Sequence, residues 1–193
     1  MPRPREFDSA EVIDKAIEVF WQKGYESTSV QDLVDTMGIN RASIYGAFGS
    51  KGGLFAAAME RYIEQGVSKR VLEAPMSKPV RELLADIFDD IIRQSVTSRG
   101  KWGCLVTNAA VERIPCDAPV TERVRSLMGS LEDNFCERFA LARDAGEVGA
   151  DKDPRALARF TLNSLNGMRV MSKVFPDETT LRDIKHVVLG ALE

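Results

Sequence analysis

From position 8 onward, apolar residues return every three or four places, the spacing that lines one face of an α-helix, and no stretch alternates as a strand would. Val12, Ile13, Ala16, Ile17 and Phe20 form the first such stripe. Asp8 or Ser9 stands where an N-cap belongs and Gly24 where a helix stops. Val30, Leu33, Val34 and Met37 make a second, shorter stripe ending at Gly38. Asn40 is placed to cap a third helix running to about 48, and Ser50 a fourth running from 51 into the low seventies. Beyond a break at 74–77 the helices lengthen. Leu83, Leu84, Ile87, Phe88 and Ile91 mark the first, and a glycine-rich joint at 99–103 leads to a mostly apolar segment at 104–114. After a turn at 115–119 comes a helix from about 120 to 145. Asp153 and Pro154 read as N-cap and first helical position of the next, and Asp177 caps the last. The predicted fold class is all-α: an N-terminal three-helix unit of helix-turn-helix type, residues 1–51, and a C-terminal helical bundle, residues 52–193, with about nine helices altogether.

The segment 28–51, TSVQDLVDTMGINRASIYGAFGSK, carries the most chemistry. Two short helices flank the three-residue turn Gly38-Ile39-Asn40. In the second, Ile44 and Phe48 share the inward side, which leaves Ala42, Ser43 and Gly46 facing out. A surface that lies deep in a DNA major groove needs such small residues, with a few donors for base edges and phosphates. Arg41 and Ser43 supply donors, and Tyr45 sits on the flank toward a phosphate backbone.

Charge qualifies this picture. The chain's net charge is −3, and residues 1–51 hold six Lys/Arg against eight Asp/Glu, so DNA affinity has to come from placement. The signs are segregated: Arg3, Arg5, Arg41 and Lys51 fall on the arm and recognition side, while Glu11, Asp14 and Glu18 fall on the first helix. The single histidine, His186, and the absence of an HExxH or GxSxG motif argue against an enzyme. Cys104, Cys116 and Cys136 show no paired spacing, which suits a reducing compartment and no zinc cage. No apolar run reaches a membrane span and the first residues lack a signal-peptide core. The expectation is a cytoplasmic protein with no cofactor, no metal and no membrane partner.

The order VFWQKGYESTSV followed by LVDTMGINRASIYGAFGSKGGLF resembles the DNA-binding domain of the TetR/AcrR family of bacterial transcriptional regulators, with aromatic, Gly, Ser/Thr and Lys positions in register over residues 10–62. The resemblance implies an all-helical homodimer that binds a double-stranded operator through its N-terminal helices and a small-molecule effector through the rest. It implies that Ser29 caps the second helix and touches phosphate and that Gln31 reaches a base. Arg41, Ala42 and Ser43 then read bases with Gly46 allowing close approach, and Tyr45 and Lys51 meet phosphate. Two positions depart from the family pattern. Ala47 replaces a large polar residue, and Gly52-Gly53 replaces helix-favouring ones, which predicts a loose start to the fourth helix.

The implied function is a ligand-responsive repressor released from a pseudo-palindromic operator. Two other readings stay open: a helical binding protein or enzyme that has lost DNA binding, and a DNA-binding activator. For an effector pocket, the large inward residues Phe88, Trp102, Met128, Phe135, Met168 and Met171 are candidates. Asn108 and Asn166 are candidate polar contacts, and Cys104 a thiol at a helix N-terminus beside Arg99 and Lys101, able to serve either as sensor or as packing. For the dimer, the stripe Leu157, Phe160, Thr161, Ser164, Leu165, Met168 and a second one through Ile184, Val187, Val188 and Ala191 are the expected faces.

Overall fold

A computed structural model of the chain describes residues 8–97, 99–114 and 116–193. Among them there are ten α-helices and no strand: α1 Ser9–Lys23, α2 Val30–Met37, α3 Arg41–Phe48, α4 Lys51–Gln65, α5 Val67–Glu73, α6 Val80–Ser95, α7 Leu105–Arg113, α8 Ala118–Asp144, α9 Pro154–Val174 and α10 Glu178–Gly190. A short 3-10 turn, Gly100–Trp102, precedes α7. The arm residues Arg3 and Arg5 lie outside the described residues.

Most helix starts follow from one polar side chain. Asp8, Ser29, Asn40, Ser50, Asp117, Asp153 and Asp177 each accept a hydrogen bond from a first-turn backbone N–H, satisfying donors that have no partner within the helix. Asp117 acts together with Pro119 in the first turn, so α8 begins at Ala118 rather than near 120. A second boundary differs more. The helix expected from 51 into the low seventies is two helices, and this accounts for ten in place of nine. Gly66 takes an extended conformation between α4 and α5, and a Cβ there would stand 2.8 Å from the Tyr62 carbonyl oxygen.

The helices share one hydrophobic core. At the N-terminal end, Phe20, Leu33, Met37, Ile44, Leu54 and Phe55 are fully or nearly fully buried and fix α1, α2, α3 and the start of α4 as one unit. The longest helices, α8 and α9, pair along their lengths; α6 packs against α9 and α10. α4 and α7 both join the halves. α4 touches α1 and α3 on one side and α5 and α7 on the other, and α7 touches α1, α4 and α8.

The start of α4 is tight, not loose. Gly53 donates its N–H to Ser50 Oγ, 3.0 Å away, and a Cβ on Gly53 would overlap the Phe48 carbonyl oxygen at the end of α3. The absence of a side chain lets α3 and α4 turn this sharply. Helix propensity alone favours Ala over Gly by about 0.8–1.0 kcal/mol. The expected outcome at this position has the opposite sign: Gly53→Ala destabilises by about 1–3 kcal/mol through overpacking. Gly52→Ala, whose Cβ would stand 3.5 Å from the Tyr25 hydroxyl in ordinary contact, stabilises or is neutral. Urea titration of the two variants checks the pair, and a stabilised Gly53→Ala protein contradicts the geometry.

Candidate nucleic-acid interface and internal cavities

α2 and α3 are built to present one face. Ser29 and Asp32 form a reciprocal capping box, with Ser29 Oγ accepting from the Asp32 N–H and the Asp32 carboxylate accepting from the Ser29 N–H. Lys23 beside it, at 2.6 Å, and these Ser29 bonds hold the Asp32 carboxyl well below the usual carboxylate range. Gly38 ends α2 in the left-handed region, φ 72°, as residues without a Cβ do at little cost. Asn40 then accepts from the Ser43 N–H at 2.8 Å and starts α3. Ile44 is fully buried.

On the outer side, Gln31, Arg41, Ala42, Tyr45 and Gly46 are exposed and Ser43 is half-buried. Tyr45 is 44% exposed, too much for a packed aromatic. A Cβ on Gly46 would meet nothing within 4 Å. The Arg41 guanidinium forms no ion pair, whereas the described arginines of the body are largely engaged by carboxylates. The structure thus brings Arg41, Ala42, Tyr45 and Gly46 onto one open surface. Ser29 and Gln31 stand at its edge, with Ser29 Oγ engaged by Asp32 and the Gln31 amide donating to Asp35 at 2.8 Å. Lys51 is set back. Its ammonium donates to the carbonyls of Tyr25 and Thr28, each at 2.8 Å, and lies 4.2 Å from the centre of the Tyr25 ring. It locks the loop between α1 and α2 to the start of α4.

Among the described residues of the body, two cavities adjoin one another. The smaller, about 80 Å³, is walled mainly by apolar residues of α5, α6, α8 and α9. The larger, about 560 Å³, opens between α1, α4, α6 and the 3-10 turn. Tyr62, Gly66, Val67 and Arg169 line both. Burial, with the Cys104 thiol next to it, pushes the Tyr62 phenol far above its ordinary value, so it remains a neutral hydrogen-bonding group.

Of the residues expected in a pocket, Cys104, Met128, Phe135 and Asn166 line the smaller cavity. The other five line neither cavity. Phe88 and Met168 are core, and Met171 packs against it. Trp102 packs edge-on against Trp21, and the Asn108 amide donates to the Trp102 carbonyl. Their helical phase faces neighbouring helices instead of the void. Reasoning from the sequence missed Tyr62, Gln94 and Arg169. One signal was available: α9 contains no Asp or Glu in its 21 residues, so Arg169 has no partner on its own helix.

Glu112 and Arg113, at the end of α7, were also missed. The Glu112 carboxylate accepts from the backbone N–H groups of Tyr25 and Glu26, each at 2.8 Å. Arg113 pairs with Glu26 and Asp117, and its guanidinium carbon lies 4.1 Å from the centre of the Tyr25 ring. The α1–α2 loop is thereby gripped by the end of α7 as well as by Lys51 at the start of α4. Nearby, Trp21 Nε1 donates to the Gly103 carbonyl at 3.1 Å.

A capped helix-turn-helix pair with an open, small-residue face, carried on an all-helical body, defines a helix-turn-helix transcriptional regulator. The family model described as bacterial regulatory proteins, tetR family, matches residues 12–58, and that for a tetracyclin repressor-like C-terminal domain matches residues 79–188. The chain is 38% identical to the HTH-type transcriptional regulator YezE of Bacillus subtilis (strain 168), over all of both proteins. It is 31% identical to the HTH-type transcriptional repressor ComR of Escherichia coli (strain K12), over 89% of this chain and 82% of that one. Among solved structures, a cysteine mutant of the TetR family regulator CifR complexed with 26-bp double-strand operator DNA superposes with a TM-score of 0.85 at 30% identity, covering 99% of this chain and 100% of that chain. The chain belongs to the tetR family of bacterial regulatory proteins, a family of transcriptional regulators and not of enzymes. No helix among the described residues is long and apolar enough to cross a membrane.

Proposed function

We propose that the protein is a cytoplasmic repressor that holds a pseudo-palindromic operator as a homodimer and releases it when a small molecule occupies the cavities beside α4. The observation that carries this reading is the open face of α3, where an unpaired arginine stands among residues too small to obstruct a groove. The operator complex of CifR and the repressor named ComR support it. Residues 1–51 form the DNA-contacting unit and 52–193 the effector and dimerisation unit. Within the first, Arg41, Ala42 and Ser43 read bases, Gly46 permits the approach, and Ser29, Gln31, Tyr45 and Lys51 border the phosphates. Lys51 has one ammonium hydrogen left for a phosphate after its two carbonyl bonds.

Coupling between the two units has a physical route. Three consecutive residues of α4 reach three places: Glu60 pairs with Arg123 of α8, Arg61 pairs with Asp14 of α1, and Tyr62 lines both cavities. Any movement of α4 on filling the cavities therefore changes how α1 sits on the body. Effector shifts the balance only by as much as it prefers the released arrangement.

For the dimer, the faces expected from the sequence are partly internal. Leu157, Thr161 and Met168 are buried in this chain's own core. Phe160, Val170 and Val174 of α9 and Val187 of α10 remain exposed, and a Cβ on Gly167 would meet nothing. These outward residues form the proposed contact, with Gly167 allowing close helix approach. Sedimentation at micromolar concentration is expected to show a dimer, and a monomer that still binds two half-sites tightly contradicts it.

Selection from random duplexes, followed by salt-dependent shift assays, tests operator binding itself. Arg41→Ala is expected to relax preference at one base position, with a loss of about 1–3 kcal/mol there. Tyr45→Phe is expected to weaken all sequences about equally. An unchanged base preference in Arg41→Ala removes α3 as the reading helix.

A further inference from the structure

Three described arginines have no carboxylate partner, namely Arg41, Arg138 and Arg169; the other twelve are ion-paired. Arg41 lies on the open face of α3. Arg138 is satisfied by backbone carbonyls. Arg169 is different: it lies where the two cavities meet, and its one hydrogen-bond partner is the neutral Gln94 Oε1 at 2.9 Å. The ionic lining of the larger cavity shows the same imbalance. Asp14 and Glu18 are engaged by Arg61 and Arg99, and Arg70 by Asp90. The charge left over is the guanidinium of Arg169. Beside it, the smaller cavity offers Val71, Ile91, Leu131, Phe135 and Leu165, a wall with nothing to hold a charge.

We propose that the ligand taken by these cavities is a small amphipathic monocarboxylate, its carboxylate on Arg169 and its short apolar chain in the smaller cavity. A guanidinium offers parallel donors that match the two oxygens of a carboxylate, and Gln94 holds it in place while leaving other N–H groups for the ligand. The neutral Tyr62 hydroxyl and Asn166 stand on the same lining as additional polar contacts. The volume limits the chain. An apolar cavity of roughly 150 Å³ takes a benzene ring, so one of about 80 Å³ takes three or four chain carbons. This assignment rests on the effector-responsive reading of the body, but its test does not use DNA.

Trp21 lines the larger cavity and lies edge-on to both Tyr62 and Trp102, so its fluorescence reports occupancy. Titrating the full-length protein with pentanoate, 1-pentanol and inorganic phosphate compares charge with chain, chain alone and charge alone. Pentanoate is expected to bind about tenfold or more tightly than either control, reflecting a charge-assisted pair added to apolar burial. In Arg169→Gln the advantage over 1-pentanol disappears while 1-pentanol binding stays as in the wild type, and Arg169→Lys restores part of it. Equal binding of pentanoate and 1-pentanol by the wild-type protein overturns the proposal without reference to any variant. So does phosphate competing as well as pentanoate, or an Arg169→Gln protein that binds pentanoate unchanged. Operator shifts by the unliganded protein, run in parallel, separate the two readings: loss of the carboxylate preference with DNA binding intact removes only the ligand assignment.

Discussion

Replacing Arg138 with Met is expected to lower the unfolding free energy by about 3–5 kcal/mol, the range for removing one partner from a buried charged interaction. Arg138 is only 2% exposed, and no carboxylate pairs with it. Its guanidinium instead donates to the carbonyls of Val71, Ala74 and Pro75, at 3.3, 2.5 and 3.0 Å, and to Asn134 Oδ1 at 2.8 Å. The first two carbonyls belong to the end of α5, where unsatisfied oxygens and the helix dipole concentrate negative potential. Burial draws the guanidinium below its ordinary value, yet an arginine remains charged at neutral pH. Methionine keeps most of the volume, so what is lost is the pairing: the Val71 and Ala74 carbonyls remain without a donor, while the Pro75 carbonyl keeps the Lys78 N–H at 3.0 Å. Arg138→Lys, with one ammonium in place of a planar fork, recovers only part of the stability. Guanidinium chloride unfolding measures both. A Met variant within about 1 kcal/mol of the wild type means that water reaches the Val71 and Ala74 carbonyls.

Arg138 also shows where reading the sequence stops. The order of the helices and most of their starts follow from stripes and caps, because both are local: Asp8, Asn40, Ser50, Asp153 and Asp177 act on N–H groups two or three residues away. The open face of α3 is legible for the same reason, since Ile44 fixes which side is inward. Gly66 was not legible as a break. It interrupts no stripe, and its conformation answers to the Tyr62 carbonyl that a Cβ would strike. The cavity residues fared worst. Phe88, Met168 and Met171 have the right size and the right helical side, but whether an inward residue meets a void or a neighbour depends on how α8 and α9 lie across α6. Leu157 and Met168 were assigned to a partner subunit on the same kind of pattern, which cannot distinguish this chain's core from another's. Tyr62, Glu112 and Arg169 act on residues distant in sequence, and no local rule points to those partners.

Glu112→Ala is expected to weaken binding to a full two-half-site operator about tenfold, roughly 1.4 kcal/mol, without changing which bases are preferred. The carboxylate takes two N–H groups at the head of the α1–α2 loop, those of Tyr25 and Glu26. Each charge-assisted bond contributes about 1.5–3 kcal/mol when its partner has no alternative, and water compensates in part because the Glu26 end is exposed. The consequence is positional, since Glu112 touches nothing on the face of α3. Its loss leaves Lys51 and Arg113 holding the loop, so the head keeps its fold but gains freedom against the body. A dimer that must fit two recognition helices to a fixed half-site spacing is sensitive to that freedom, and a single half-site is not. Hydrogen exchange at Tyr25 and Glu26 should rise while exchange in the core of α2 and α3 stays slow. Arg41→Ala, by contrast, alters base preference and leaves exchange unchanged, so the two variants separate reading from positioning. Equal losses of affinity on half-sites and full operators in Glu112→Ala place the defect in the head itself and dismiss the clamp.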